Sequence, residues 1–298
     1  MLKTTSWKVP YSFILPAMTV VVFCSMLPNL YSFYLAFTNY SLYHYTKYDF
    51  VGIQNFITIF TQKEINTFIR VFGWTFVWAI VSVAGMLTIG LALAIMLNTK
   101  GFKLKNFYRT LLVVPWAIPA FISVLMWQGL LWPDSGVLNT LLGTKVNWLG
   151  DPNLARFSVL MVNIWLGFPF FMTLCLGALQ SIPTDLYEAA GVDGASKFSQ
   201  FFKITVPILS TTLLPASVMS FAFNFNQFLS IYLLTAGLPP VSGSRAGATD
   251  ILVTYSYKLA FTLFKYGLAC AYAVIIFIVI ALICGINFKA TGTFKEAK

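Results

Sequence analysis

Ser220, Phe223, Asn224 and Gln227 stand at i, i+3, i+4 and i+7 within one apolar stretch, so on a helix a single face would carry a hydroxyl, a ring and two carboxamides. Asn163, Leu166, Gly167 and Phe170 repeat that spacing in a second apolar stretch. Carboxamides and hydroxyls both donate and accept hydrogen bonds, while ring faces take up C–H surface. Together they suit a neutral, hydroxyl-rich solute. No Lys or Arg accompanies them, which disfavours an anion. No Asp or Glu does either, which disfavours a proton or sodium relay. The same amides have a second use in apolar surroundings, bonding one helix to another as packing. His44 is the only histidine, and Cys24, Cys175, Cys270 and Cys284 are scattered through apolar runs without a C-x-x-C pair. Neither a metal site nor a His-dependent nucleophile is expected.

The elements that must position these faces follow from composition. Of 298 residues, 58% are hydrophobic and 9% charged, with a mean hydropathy of +0.80. Soluble domains carry about 25% charged residues, so this chain cannot be coated with water. Six stretches are long and apolar enough to cross a bilayer, at about 11–37, 69–98, 107–132, 155–180, 207–235 and 266–289. The first follows Lys3 and Lys8, is long and lacks a small-x-small cleavage site, so it reads as a retained helix. The expected fold is all-α and polytopic, with one transmembrane domain over 1–298.

An even number of spans puts both termini on one side. Lys3, Lys8, Lys100, Lys103, Lys105, Arg109, Lys197, Lys203, Lys289, Lys295 and Lys298 then share that side, which the positive-inside rule makes cytoplasmic. The net charge of +10 therefore reads as membrane topology and not as a nucleic-acid footprint. Loops near 38–68, 133–154 and 236–265 fall outside and are rich in interfacial aromatics. Pro115, Pro119 and Pro169 interrupt the third and fourth spans, either as kinks that line a cavity or as packing kinks.

The segment of about 181–207 is too polar to span and would lie on the cytoplasmic face. It offers a short helix beginning near Thr184 or Asp185 and a turn at Asp193-Gly194. A second amphipathic helix follows, with Phe198, Phe201, Phe202 and Thr205 in register. Ala189, Ala190 and Ala195 are small enough to admit a partner close to the backbone; the alternative is a loop packed on its own bundle. The chain holds no G-x-x-x-x-G-K-[ST] motif, so a nucleotide held in that manner would need another polypeptide.

The run Glu188-Ala189-Ala190, Asp193-Gly194-Ala195, then Phe202, Ile204 and Pro207 resembles the E-A-A…D-G-A…I…P loop of permease subunits of bacterial ATP-binding-cassette importers. The resemblance implies a type I importer permease fold. Glu188, Ala189, Ala190, Asp193, Gly194 and Ala195 would then dock on the ATPase, with Glu188 as the polar anchor and Gly194 supplying the turn. From about Arg109 to Ala290 the chain resembles the MalF-type permease of maltose and maltodextrin importers. The matching stretches are 162–169, 220–226 and 249–253, followed by Tyr255, Tyr257, Ala260 and Phe261.

That likeness implies that Asn163, Leu166, Gly167, Phe170, Ser220, Phe223, Asn224 and Gln227 line a mid-membrane sugar site, with Trp116 stacking on a ring. The best-known member has tyrosine at the positions of Trp116 and Phe170, and asparagine at that of Gln227. Loss of a phenol at Phe170 would remove one bond to the sugar. That member also has a large extracytoplasmic domain where this chain has only the 38–68 loop.

The implied assembly adds a second, homologous MalG-like permease, two ATP-binding cassette ATPases, an extracytoplasmic sugar-binding protein and an oligosaccharide. It sits in a prokaryotic cytoplasmic membrane and involves no nucleic acid. This chain would be a transport subunit and not an enzyme, holding no cofactor, with ATP and Mg²⁺ bound by the ATPases. Trehalose, another oligosaccharide or a polyol is the alternative cargo.

Overall fold

In hydrocarbon a backbone must satisfy its N–H and C=O groups within its own segment, so long apolar runs become long helices. The computed structural model describes residues 8–61, 64–99 and 101–290; Lys3, Lys100, Lys295 and Lys298 lie outside them. In chain order the helices are α1 (Lys8–Val21), α2 (Leu27–Leu35), α3 (Gln54–Ile59), α4 (Ile65–Asn98), α5 (Lys105–Ala117), α6 (Ala120–Leu130) and α7 (Val137–Leu142). They continue with α8 (Pro152–Gln180), α9 (Thr184–Val192), α10 (Lys197–Gln200), α11 (Val206–Phe225), α12 (Phe228–Thr235), α13 (Leu252–Phe261) and α14 (Tyr266–Ala290). Five helical stretches are long and apolar enough to cross a membrane, and α5 with α6 makes a sixth if that pair, bent by 91°, is one span.

The third stretch is therefore not a single rod. Ile118 is extended, with ψ 136°, because the ring of Pro119 excludes the helical conformation from the residue before it. The fifth stretch also differs from expectation. It does not run to 235, and no separate amphipathic helix precedes it. Helical structure is continuous over Lys197–Phe225 and ends at Asn226. Continuity through Pro207 is possible because a π-helical turn, Phe201–Thr205, comes just before it. The wider turn contains Lys203, whose carbonyl the proline ring would crowd in a regular helix. The same device joins α1 to α2, where the π turn Val22–Met26 contains Cys24 ahead of Pro28.

Two compact units emerge from the contacts. One comprises the described residues up to Ile65 with Ser256–Ile275. Here Asn55 donates from Nδ2 to the carbonyls of Ala36 and Thr38, each at 2.8 Å. The Gly267 amide donates to Tyr40 O at 2.8 Å. A Cβ at Gly267 would fall 2.3 Å from Thr38 O, so this approach of backbones needs glycine.

The other unit comprises the described residues of Asn66–Tyr255 and 276–290. Its hub is α8, against which α5, α6, α11 and α12 pack. Asp151 starts α8 by accepting from the amides of Asn153 and Leu154, both at 2.9 Å. A Cβ on Gly90 of α4 would meet Met172 N of α8 at 2.7 Å, so the two backbones touch. Small residues permit such contact where lipid offers no hydrophobic drive for association. The loop after α12 is laced to the bundle. Arg70 donates to Ser244 Oγ (2.6 Å) and Ala246 O (2.7 Å), and Arg156 donates to Ala248 O (2.8 Å).

Candidate functional site

Helices α5, α6, α8 and α11 border a half-open cavity of about 580 Å³, with Met86 of α4 and Gln227 completing its wall. All nine residues singled out by spacing and resemblance border it: Trp116, Asn163, Leu166, Gly167, Phe170, Ser220, Phe223, Asn224 and Gln227. Met86, Ala120, Ala216 and Met219 complete the wall, and none of the thirteen is charged. Ala216 continues the Ser220 and Phe223 stripe one turn back and was legible from spacing. Met86 lies on a different helix, where Ser82 one turn earlier is the polar neighbour in register, a single residue that makes no pattern.

The polar groups divide into two sets. Asn163 and Asn224 are each 2% exposed and are committed to protein. Asn163 donates from Nδ2 to Asn224 Oδ1 (2.7 Å) and to Ser82 Oγ (3.0 Å), and accepts from Ser230 Oγ (3.4 Å). Asn224 donates to the Ser220 carbonyl at 2.8 Å, and its own carbonyl accepts from Trp78 Nε1 at 2.9 Å. These amides thus join α4, α8, α11 and α12 while still bordering the cavity.

Gln227 differs. It is not on the α11 face as the i+7 spacing required, because the helix has ended and Gln227 is extended at φ −80°, ψ 95°. Its carboxamide, half-buried at the break, makes no hydrogen bond to the described residues. It therefore brings unspent donors and an acceptor to the wall. Trp116 and Phe170 meet edge to face, with centroids 6.2 Å apart.

At the far end of α8 and α11 lies α9. It closes in a Schellman motif: Ala195 N–H donates to Ala190 O (2.9 Å), Gly194 N–H donates to Gly191 O (3.1 Å), and Gly194 has φ +77°. Glu188, Ala189, Asp193 and Gly194 are exposed, and Ala190 and Ala195 are half-buried. Val192, 89% exposed, and Phe198 add an uncovered apolar surface. Behind it, the hydroxyls of Tyr187 and Thr205 bond at 2.8 Å, and Gln200 Nε2 donates to Ala195 O at 3.1 Å. Tyr187 and Ile204 pack on the cluster containing Met172, Leu176, Leu209 and Leu213. Thr205 stands in register with Phe198, Phe201 and Phe202, but no periodicity pairs it with Tyr187, because the bond crosses the turn. It ties α9 to the root of α11, the helix that carries Ser220 and Asn224. Tyr187→Phe is expected to lower the stability of the solubilised chain by about 1 kcal/mol, the worth of one hydrogen bond. An unchanged thermal unfolding midpoint would show that the bond carries no weight.

Among the described residues no group of three or more His, Cys, Asp or Glu stands where it could hold a metal ion. The family model described as binding-protein-dependent transport system inner membrane component matches residues 86–288. The galactooligosaccharides transport system permease protein GanP of Bacillus subtilis (strain 168) is 40% identical over 296 residues, covering 96% of this chain and 71% of the relative. The maltose/maltodextrin transport system permease protein MalF of Salmonella typhimurium (strain LT2) is 43% identical, covering 81% of this chain and 49% of the relative. That of Escherichia coli (strain K12) is 42% identical, covering 80% and 49%. The chain thus spans about half the length of the MalF relatives it matches. Among solved structures, a bacterial ABC transporter involved in import of the acidic polysaccharide alginate superposes with a TM-score of 0.77 at 22% identity, over 96% of this chain and 95% of that one.

Proposed function

Because the chain belongs to the family of binding-protein-dependent inner-membrane transport components, we propose that it is the permease subunit that carries a neutral oligosaccharide of the maltose/maltodextrin class through an ATP-driven sugar importer. Its fold is that of a type I ABC importer permease. The observation that carries the cargo is the cavity: three aromatic side chains, an unspent carboxamide, a serine hydroxyl and no charge, bordered by membrane-type helices. Such a lining suits sugar hydroxyls and C–H faces and would leave an acidic sugar's carboxylate without a counter-charge.

In this reading Trp116, Asn163, Leu166, Gly167, Phe170, Ser220, Phe223, Asn224 and Gln227 form the substrate wall. The α9 surface from Glu188 to Ala195 docks on an ATPase. A second, homologous permease, two ATPases that bind ATP and Mg²⁺, and an extracytoplasmic sugar-binding protein complete the machine. Both termini face the cytoplasm of a prokaryotic cell. Closure of the ATPase pair shifts α9, the bundle tilts to open the cavity outward, and hydrolysis returns it inward.

A galactooligosaccharide cargo is the second reading, favoured by the relative that matches nearly the whole chain. ATPase activity of the co-expressed complex in lipid separates the two, with a binding protein loaded in turn with maltose, maltotriose, a galactooligosaccharide, trehalose and a non-sugar control. Stimulation by one sugar class names the cargo, and no stimulation by any sugar defeats the importer reading.

Gln227→Leu keeps much of the volume and deletes the unspent amide. The sugar concentration giving half-maximal uptake is expected to rise by about tenfold, or about 1.4 kcal/mol. An unchanged value would show that Gln227 does not touch the sugar.

A further inference from the structure

A second cavity, of about 400 Å³, lies beside the first and shares two wall residues with it, Trp116 and Phe170. Its other walls come from further along α8 (Thr173, Leu174, Gly177, Ala178) and from an earlier position on α11 (Thr212). Both shifts point the same way, toward the Gln180 end of α8 and the Val206 end of α11, between which α9 is inserted. The two cavities are thus stacked along the bundle, divided by an edge-to-face pair of rings 6.2 Å apart.

Each ring of the divider sits beside a proline, one at a helix break and one within a continuous helix. Trp116 is on the last turn of α5, next to the 91° bend at Ile118-Pro119, and Phe170 directly follows Pro169 within α8. Proline removes a backbone bond and leaves a point about which a helix can bend. Neither ring is locked by burial, since Trp116 is 56% and Phe170 40% exposed. The second cavity offers an indole, a phenyl ring, two threonine hydroxyls, one of which donates to Pro169 O at 2.9 Å, and no charge; it shares the rings and neutrality of the first but has no carboxamide. At Gly177 it has open space: a Cβ there would meet nothing within 4 Å.

From this stacking we infer that the Trp116–Phe170 pair is the inner gate of the sugar path, and that the second cavity is a station the oligosaccharide occupies after the rings part, on its way to the α9 side. The inference rests on the importer reading above. It adds a site for a neutral oligosaccharide distinct from the Gln227 wall, and a reason for two aromatic side chains placed beside prolines. Rings that separate on bending would open the lower station when α5 and α8 straighten or tilt, and close it behind the sugar on return.

The test uses the whole importer in vesicles, with permease pair, ATPases and loaded binding protein. Gly177→Phe fills the second cavity without touching the first. Sugar uptake is expected to fall by about tenfold or more, while ATPase stimulation by the loaded binding protein is retained. Gly177→Ala should transport like the parent. Uptake by Gly177→Phe equal to that of the parent overturns the inference.

Should the phenylalanine variant fail to assemble, Gly177→Cys gives the answer by labelling. A membrane-impermeant thiol reagent applied from the α9 side should modify position 177, above the background of the native cysteines measured in the parent. Saturating oligosaccharide should slow that modification severalfold, and a rate indifferent to sugar overturns the station. The two readings fail differently. A parent complex that takes up no sugar defeats the importer itself, whereas a transporting parent with an indifferent position 177 defeats only the second site.

Discussion

Asn163→Leu is expected to abolish most sugar uptake and to lower the stability of the solubilised chain by about 2–4 kcal/mol, the cost of leaving several buried polar partners unmatched. Leucine nearly matches asparagine in shape, so the loss is of bonds and not of volume. Three groups lose their partner at once: Ser82 Oγ, Asn224 Oδ1 and Ser230 Oγ. Interhelical bonds in membrane proteins average only about 0.6 kcal/mol each, which would put the lower bound nearer 1 kcal/mol. The higher figure is favoured here because Ser82, Asn163, Asn224 and Ser230 are all nearly inaccessible, so water cannot replace the missing donor.

A double-mutant cycle decides between them. Asn163→Leu with Asn224→Leu should cost less than the sum of the singles, because each single strands the other amide. Strict additivity in thermal unfolding would mean that the pair is not coupled. The functional loss follows from position. The Asn224 carbonyl also accepts from Trp78, and the residues after it form the break that presents Gln227. Loosening the pair therefore moves the one uncommitted amide of the wall.

Gly194→Val is expected to reduce uptake about tenfold or more while the chain still inserts and folds. At φ +77° a β-branched residue is strained by about 1–2 kcal/mol, and the two Schellman bonds that end α9 are lost if the backbone relaxes. Steric conflict within the chain is not the cause, since a Cβ at Gly194 meets nothing within 4 Å. Gly194→Asn separates the remaining explanations, because asparagine tolerates the left-handed region. If Gly194 serves only the turn, asparagine should retain most uptake. If an ATPase surface comes against the backbone there, asparagine should fail like valine, and co-purification of the ATPase should weaken with both. Parental uptake by Gly194→Val would remove α9 from the coupling path.

Some features were legible because their physics is local. Helical spans follow from apolar length, and the α9 turn follows from an Asp-Gly pair at a helix end, where only the backbone of one residue must turn left-handed. Side-chain spacing on α8 placed Asn163, Leu166, Gly167 and Phe170 together on one wall. The same reasoning over-extended α11. Spacing assumed that helical geometry reaches Gln227, but the chain leaves the helix at Asn226 and still delivers the side chain to the cavity by a different backbone path. The π turn before Pro207 was likewise invisible, since proline by itself suggests a boundary, while the structure absorbs it by widening one turn.

By itself the sequence determined that this is an all-α membrane chain, roughly where its apolar helical stretches run, where α9 begins and turns, and which α8 and α11 residues can border an uncharged cavity. Each of these rests on hydrophobicity, helical period or one residue's dihedral preference. Only the tertiary structure decided which amides are spent on protein and which remain for a solute. Asn163 meets Ser82 across 81 residues and Asn224 across 61. A hydrogen bond between helices depends on which helices become neighbours and how closely glycines such as Gly90 let them approach, and no local pattern in the chain encodes that distance.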